Sequence, residues 1–151
     1  MIRPANVNDI PCIIALGQQL HAESSYSHLP YNVEKVAALM EQLIQGAGVV
    51  FVAEKDGEVV GGIAGAITEH WFCDVRLAFD YSFFIAPEQR HGITALRLLR
   101  AFTEWSKIRG ASEIRMGITT AINVGGTSRL YRAAGFSDAG VLFCKGLEHG
   151  R

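Results

Sequence analysis

The chain has 151 residues, 49% of them hydrophobic and 19% charged, with a formal net charge of -1 at pH 7. That length and apolar share give a single domain over residues 1–151 with a substantial core. A pI of about 6.5 excludes the basic footprint of a nucleic-acid binder, so no nucleic-acid partner is expected. No uncharged apolar run is long enough to span a bilayer, which argues against a membrane partner. The N-terminus, MIRPANVNDIP, has no apolar leader segment, so a cytoplasmic location is expected. Cys12, Cys73 and Cys144 are widely spaced and form no CxxC. They read as buried small hydrophobes, with no disulfide framework and no metal.

Met1 to Pro4 reads as a short edge strand. Asn8 or Asp9 caps a first helix with Pro11 in its first turn, and Ile10, Ile13, Ile14, Leu16 and Leu20 recur at near-helical spacing. His21 to Asn32 is polar and interrupted by Pro30. Its two histidines and two tyrosines leave two readings open, a solvated connection or the lining of a site. Asn32 caps a second helix with Val36, Leu39, Met40, Leu43 and Ile44 on its apolar face, and Gly46 and Gly48 end it. Val49 to Ala53 is a strand, Lys55-Asp56-Gly57-Glu58 a hairpin turn, and Val59 to Ile67 the returning strand. Its glycines, Gly61, Gly62 and Gly65, mark a bulge or the close approach of another group. Thr68 to Arg76, TEHWFCDVR, is a connection.

Phe79 to Ala101 is a strand, a sharp turn and a helix. Pro87 ends the strand. Gln89-Arg90-His91-Gly92-Ile93-Thr94 then opens a helix patterned by Leu96, Leu99 and Phe102. The first helical N–H groups have no intrahelical partner and the helix dipole is positive there. A glycine among basic residues at that point is therefore a cradle for phosphate. Arg97 and Arg100 lie further along, either reaching outlying phosphates or on a solvated face. After Arg109-Gly110, Glu113 to Ile118 is a strand, Thr119 to Gly126 a loop, and Thr127 to Ala134 a short helix closed by Gly135. A last strand pair is expected from Phe136 to Cys144. The order β-α-α-β-β-β-α-β-α-β demands a mixed sheet with helices on both faces, an α/β (α+β) architecture.

Two segments carry a family resemblance. Gln89-Arg90-His91-Gly92-Ile93-Thr94 is similar to the Q/R-x-x-G-x-G/A pattern of the GCN5-related N-acetyltransferase (GNAT) superfamily, with Thr94 in place of the last small residue. Leu130-Tyr131-Arg132-Ala133-Ala134-Gly135-Phe136 resembles its L-Y-x-x-x-G-F. The resemblance implies a mostly antiparallel mixed sheet with a splayed parallel pair. It also implies acetyl-CoA as co-substrate, with a small-molecule or peptide amine as acceptor. Its pyrophosphate would lie on the backbone of Arg90, His91, Gly92, Ile93, Thr94 and Ala95. The pantetheine would lie along Phe84, Ile85 and Ala86, with Asn123 as a further cofactor contact. Tyr131 would be the acid for the leaving thiolate. A homodimer formed through the last strands, around Val141 to Cys144, is an expectation of the same kind.

The chemistry adds its own demands. The attacking amine must be neutral, so a carboxylate or histidine must take its proton. Glu23, His28, Glu69, His70 and Asp80 are candidates, with Glu23 and Glu69 preferred beside Tyr131 because their segments should face the acceptor. A backbone N–H at Phe84 or Ile85 would stabilise the oxyanion. A phenol of pKa about 10 suits a thiolate of pKa about 8.5. An acyl-CoA-binding sensor without turnover is the alternative. A nucleotide-binding protein is disfavoured because the chain has neither GxxxxGK[ST] nor GxGxxG.

Overall fold

The computed structural model describes residues 1–90, 92–118, 120 and 122–148. Among them, five strands form one sheet in chain order: β1 (Ile2–Pro4), β2 (Val49–Lys55), β3 (Glu58–Glu69), β4 (Arg76–Ile85) and β5 (Glu113–Arg115). The ladders from β1 to β4 are antiparallel, and β5 lies parallel to β4. The β2–β3 hairpin turns at Asp56 and Gly57, both at positive φ (52° and 80°). That mirror-image turn suits the twist of the two strands and is what an Asp-Gly pair encodes.

Side chains of a strand alternate between faces, and both faces of this sheet are apolar. Val50 and Val52 of β2 turn to the face covered by α1 (Ile10–Glu23) and α2 (Val33–Gln42), where Ile13 and Met40 are buried. Val49 and Ala53 turn to the face covered by α3 (Thr94–Ile108) and α4 (Val124–Ala133), where Leu98, Leu99, Phe102 and Tyr131 are buried. Each such large side chain contributes about 1.5–3 kcal/mol by leaving water. The buried stripe of α3 is Ala95, Leu98, Leu99, Phe102 and Ser106, with Leu96 turned partly outward. The mixed sheet with helices on both faces is the architecture expected from the sequence.

One expectation is refined and two are corrected. Asp9 stands at the N-cap position of the first helix but makes no side-chain cap bond there, and the short turn Val7–Asp9 that leads into the helix is capped by Asn6. Asn6 Oδ1 accepts from the Asn8 N–H at 2.9 Å, and Asp9 Oδ2 accepts from the Asn6 N–H at 2.8 Å. Arg3 donates to both Asp9 oxygens at 2.8 and 3.0 Å and holds that carboxyl below its ordinary range. Cys12 and Cys144 are exposed rather than buried. The last strand pair does not form: Phe136 packs on the core, but Val141, Leu142 and Phe143 are exposed and lie outside the sheet. The ladder that β5 makes with β4 is three residue pairs long, which leaves little edge to extend, and Ser137, Asp138 and Gly140 favour turns over strand.

Gly65 on β3 marks both a bulge and a close approach. The β3–β4 register shifts between Ala64 and Gly65, leaving Tyr81 as the extra residue of β4. A Cβ at Gly65 would lie 2.4 Å from the Phe79 carbonyl oxygen and 2.6 Å from the Phe102 ring. Backbone and a buried ring cannot both withdraw. Gly65→Val is therefore expected to destabilise the fold by about 2–3 kcal/mol, read as a lower urea midpoint. An unchanged midpoint would show that the sheet can open at this point.

Candidate active site

The site follows from the way β4 leaves its parallel neighbour. Pairing with β5 covers Leu77 to Phe79 and stops. Directly afterwards the Tyr81 bulge redirects β4, as bulges beside sites commonly do. From Asp80 to Ile85 the strand borders a cleft of about 680 Å³, whose other wall is Gly117, Ile118 and Tyr131. On one face of the sheet the cleft runs under α1 and α2. On the other it reaches the starts of α3 and α4.

Backbone alternation decides which groups of β4 face this gap. The Ala86 N–H donates to Val60 O at 2.8 Å. Residues of an antiparallel ladder turn their polar groups alternately to either side, so Phe84 also pairs with β3 while Ile85 and Phe83 face away from it. Of Phe84, Ile85 and Ala86, only Ile85 therefore turns its N–H and C=O to the gap. The Phe84 ring is buried in the core under α1 and α2 while Phe84 still borders the cleft, and the Ala86 N–H is engaged. The Ile85 carbonyl accepts from Arg90 Nε at 3.0 Å.

In the turn before α3 the Arg90 N–H donates to Pro87 O at 3.3 Å and the Gly92 N–H to Gln89 O at 3.4 Å. A short helical turn, Pro87–Gln89, leads through Arg90 to Gly92, and Ile93 precedes Thr94 with no side-chain cap on the helix. The Arg97 N–H donates to Ile93 O at 3.0 Å, so the N–H groups before it lack an intrahelical acceptor. Arg90, Gly92 and Ala95 border the cleft, whereas Ile93 and Thr94 do not. Ala95 thus supplies the small buried residue that Thr94 lacks. His91 lies outside the described residues. Asn123 borders the cleft in the left-handed conformation (φ 43°), and its Oδ1 accepts from the Gly126 N–H to cap α4. That cap accounts for the Gly125-Gly126 pair between Asn123 and Tyr131.

Two titratable groups meet in the cleft. Burial pushes the Asp80 carboxyl up to about 6. Burial, with the Asp80 charge in second place, pushes the Tyr131 phenol well above its ordinary value. Tyr131 lies nearly parallel to Phe83, with 6.5 Å between ring centroids, and packs against Phe136 at 5.5 Å. Its hydroxyl donates a long 3.5 Å bond to Gly117 O.

The preferred carboxylates are placed differently. Glu69 faces Arg76 at the far end of β3. Arg76 precedes Asp80 by four residues, roughly 13 Å of strand, so Glu69 stands apart from the cleft, near Arg109. Glu23 does sit at the rim, but its Oε2 accepts from Arg90 Nη1 at 2.9 Å and serves as an ion-pair partner. His70 pairs with Glu113 at 2.7 Å away from the cleft, and His28 is exposed. Asp80 is the one of the five candidates that borders the cleft. The stretch from the last turn of α1 onward does line the site: His21 on α1 and Ser24, Tyr26 and Tyr31 after it border it, and the Ser25 N–H donates to Thr120 O at 2.9 Å across its mouth. Sequence reasoning left that lining open and did not include the α1 and α2 side chains. A lone acid in an aromatic strand was the available signal for Asp80.

The acetyltransferase (GNAT) family model matches residues 16–136. The fold resembles that of AAC(6')-Iy bound to the bisubstrate analogue CoA-S-monomethyl-acetylneamine, at 22% identity and a TM-score of 0.75 over 97% of both chains. It also resembles an aminoglycoside acetyltransferase, meta-AAC0020, from an uncultured soil metagenomic sample, at 21% identity and a TM-score of 0.75 over 98% of this chain and 96% of that one. A possible acetyltransferase from Clostridium difficile 630 gives 14% and 0.74 over 99% and 98%. No curated protein matches.

A carboxyl whose folded pKa lies above its unfolded one stabilises only while protonated. Its contribution is present below about pH 4 and lost as pH rises through about 6. Asp80→Asn is therefore expected to match the parent in urea midpoint at pH 4. At pH 8 it should be the more stable protein, by up to about 3 kcal/mol. A variant less stable than the parent at pH 8 would contradict the assigned burial cost.

Proposed function

The chain belongs to the acetyltransferase (GNAT) family, and we propose that it moves an acetyl group from acetyl-CoA to an amine by direct attack in a ternary complex. The observation that carries this reading is the meeting of Asp80 and Tyr131 in a cleft that also opens onto the uncapped start of α3. The solved relatives named as aminoglycoside acetyltransferases support an amine as the acceptor.

Acetyl-CoA fits these residues. The free N–H groups at the start of α3, with Arg90 and Gly92 beside them, suit a pyrophosphate. A Cβ at Gly92 would find nothing nearer than Gln89 O at 3.8 Å, so open space remains there for a phosphate. The Ile85 N–H faces the gap and suits a carbonyl oxygen that gains charge. The cofactor supplies an activated acetyl group on a thiolate leaving group. Asp80 takes the proton of the attacking amine, the N–C bond forms, and the C–S bond breaks. Tyr131 directs its proton at the departing sulfur, and the proton held by Asp80 returns through solvent. The two groups work in sequence. Burial is the larger cause holding the Tyr131 phenol up, and protonation of Asp80 removes the smaller one, so the phenol becomes a somewhat stronger acid as the thiolate leaves. Free thiols such as the exposed Cys12 and Cys144 stay reduced in a cytoplasmic setting, and among the described residues no helix is long and apolar enough to cross a membrane.

The test is thiol release from acetyl-CoA over a panel of amines. Activity should rise with pH through a limb near 6, because protonated Asp80 cannot accept a proton. Asp80→Asn should lower kcat by about 100-fold or more and remove that limb. Tyr131→Phe should cost about tenfold. Cofactor binding without turnover on any amine would establish a sensor instead.

A second measurement concerns the turn. Gly92→Glu should keep the fold and weaken CoA binding at least about 100-fold, since a carboxylate would face the phosphates. Undiminished affinity in the folded variant would remove the turn from the binding site.

A further inference from the structure

One guanidinium ties three elements together at the mouth of the cleft. Arg90 Nε donates to the Ile85 carbonyl at 3.0 Å, and Arg90 Nη1 donates to Glu23 Oε2 at 2.9 Å. Arg90 stands in the turn that leads into α3, Ile85 ends β4, and Glu23 is the last residue of α1. The Ile85 carbonyl turns to the gap, beyond the point where pairing with β5 stops. A backbone acceptor left without a strand partner takes another donor, and in the empty cleft that donor is Arg90. The guanidinium therefore occupies the backbone group of β4 that a ligand in the gap would use.

This arrangement is held lightly. The Arg90 and Glu23 side chains are 26% and 38% exposed, and an ion pair open to water to that extent contributes little. Phosphate oxygens match the fork of a guanidinium and carry more charge than one carboxylate. Arg90 already belongs to the turn before α3, so rotation of its own side chain is enough to bring it to a phosphate there. Among the described residues Arg90 is the one ion-pair partner of Glu23. Moving Arg90 thus leaves Glu23 unpaired, next to the segment of Ser24, Tyr26 and Tyr31 that borders the acceptor half.

Resting on the acetyltransferase reading, we infer that Glu23 is a positioning residue that acts through Arg90. In the empty protein it holds the guanidinium on the Ile85 carbonyl, and an anionic cofactor draws the guanidinium away to its phosphates. The Ile85 carbonyl is then free for an N–H donor on the cofactor, and Glu23 is left as an unpaired carboxylate at the mouth of the acceptor half. Cofactor binding so exposes a negative charge where an ammonium group would enter.

The experiment measures CoA affinity by calorimetry for the parent, Glu23→Gln, Arg90→Gln and the double variant. Glu23→Gln should bind CoA about threefold to fivefold more tightly, because the competing partner of Arg90 is gone. In the Arg90→Gln background the same substitution should gain less, since no contact remains to be broken. An equal or larger gain in that background would make Glu23 a charge that merely repels the phosphates, and would overturn the inference. Unchanged or weaker binding by folded Glu23→Gln would make the ion pair a support of the turn, with the same result. In ¹⁵N-arginine spectra the Arg90 Nε–H signal, assigned by its loss in Arg90→Gln, should move on saturation with CoA. A signal that stays in place would also overturn the inference, and each of these three results leaves the acetyltransferase reading standing. A parent protein without affinity for CoA would overturn both.

Discussion

The parting of β4 from β5 is the constraint on which the site depends. Parallel neighbours normally satisfy one another's backbone groups along their whole length. Here the ladder ends at Phe79 and Arg115, and the Tyr81 bulge turns the next stretch of β4 aside. Polar backbone groups that a continuous sheet would have used then face a gap. That gap joins the two faces of the sheet, so one cleft opens both towards α3 and α4 and towards α1 and α2. Gly65 makes the bend possible, because the Phe79 carbonyl and the Phe102 ring fill the volume a side chain would need.

The same gap sets the electrostatics. A carboxylate at Asp80 is removed from most of its water without gaining a cationic partner, and its affinity for a proton rises accordingly. The neighbouring phenol shifts in the same direction for the same reason. Arg90 is handled in the opposite way. It is tied to Glu23 and to the Ile85 carbonyl, so the cation in the turn before α3 is held in place by protein groups. The ion pair also connects the end of α1 to that turn. With the Ser25 to Thr120 bond on the other side, it spans the mouth of the cleft.

Local signals carried much of this. An Asp-Gly pair announced the hairpin, and three glycines in one strand announced a bulge or a close approach, both of which occur. The uncapped, glycine-containing helix start was readable from Gln89 to Thr94, and the order of elements implied the mixed sheet. What could not be read depends on distance in space. Glu69 and Asp80 are both acids near the same hairpin, and only the register of β3 on β4 separates them by roughly 13 Å. Glu23 was placed near the site but not seen as bound to Arg90, which lies far along the chain. Which of Phe84, Ile85 and Ala86 turns its backbone to the gap depends on the phase of a ladder, a property that no single residue encodes. Val141 to Cys144 has strand propensity and no strand, because propensity needs an edge to act on.

Three residue pairs attach β5 to the rest of the sheet. The wall that follows, from Gly117 through α4, is anchored by those pairs, by Tyr131 and Phe136 in the core, and by the cap at Asn123. Segments with so few ladder bonds open at a fraction of the global unfolding free energy. The segment that carries Tyr131 is thus held by fewer ladder pairs than the β2–β3–β4 meander on which it leans. A ligand that spans both walls would add its own contacts to the weaker one. Occupancy of the cleft and local order of α4 are therefore linked quantities, and a rise in one is a rise in the other.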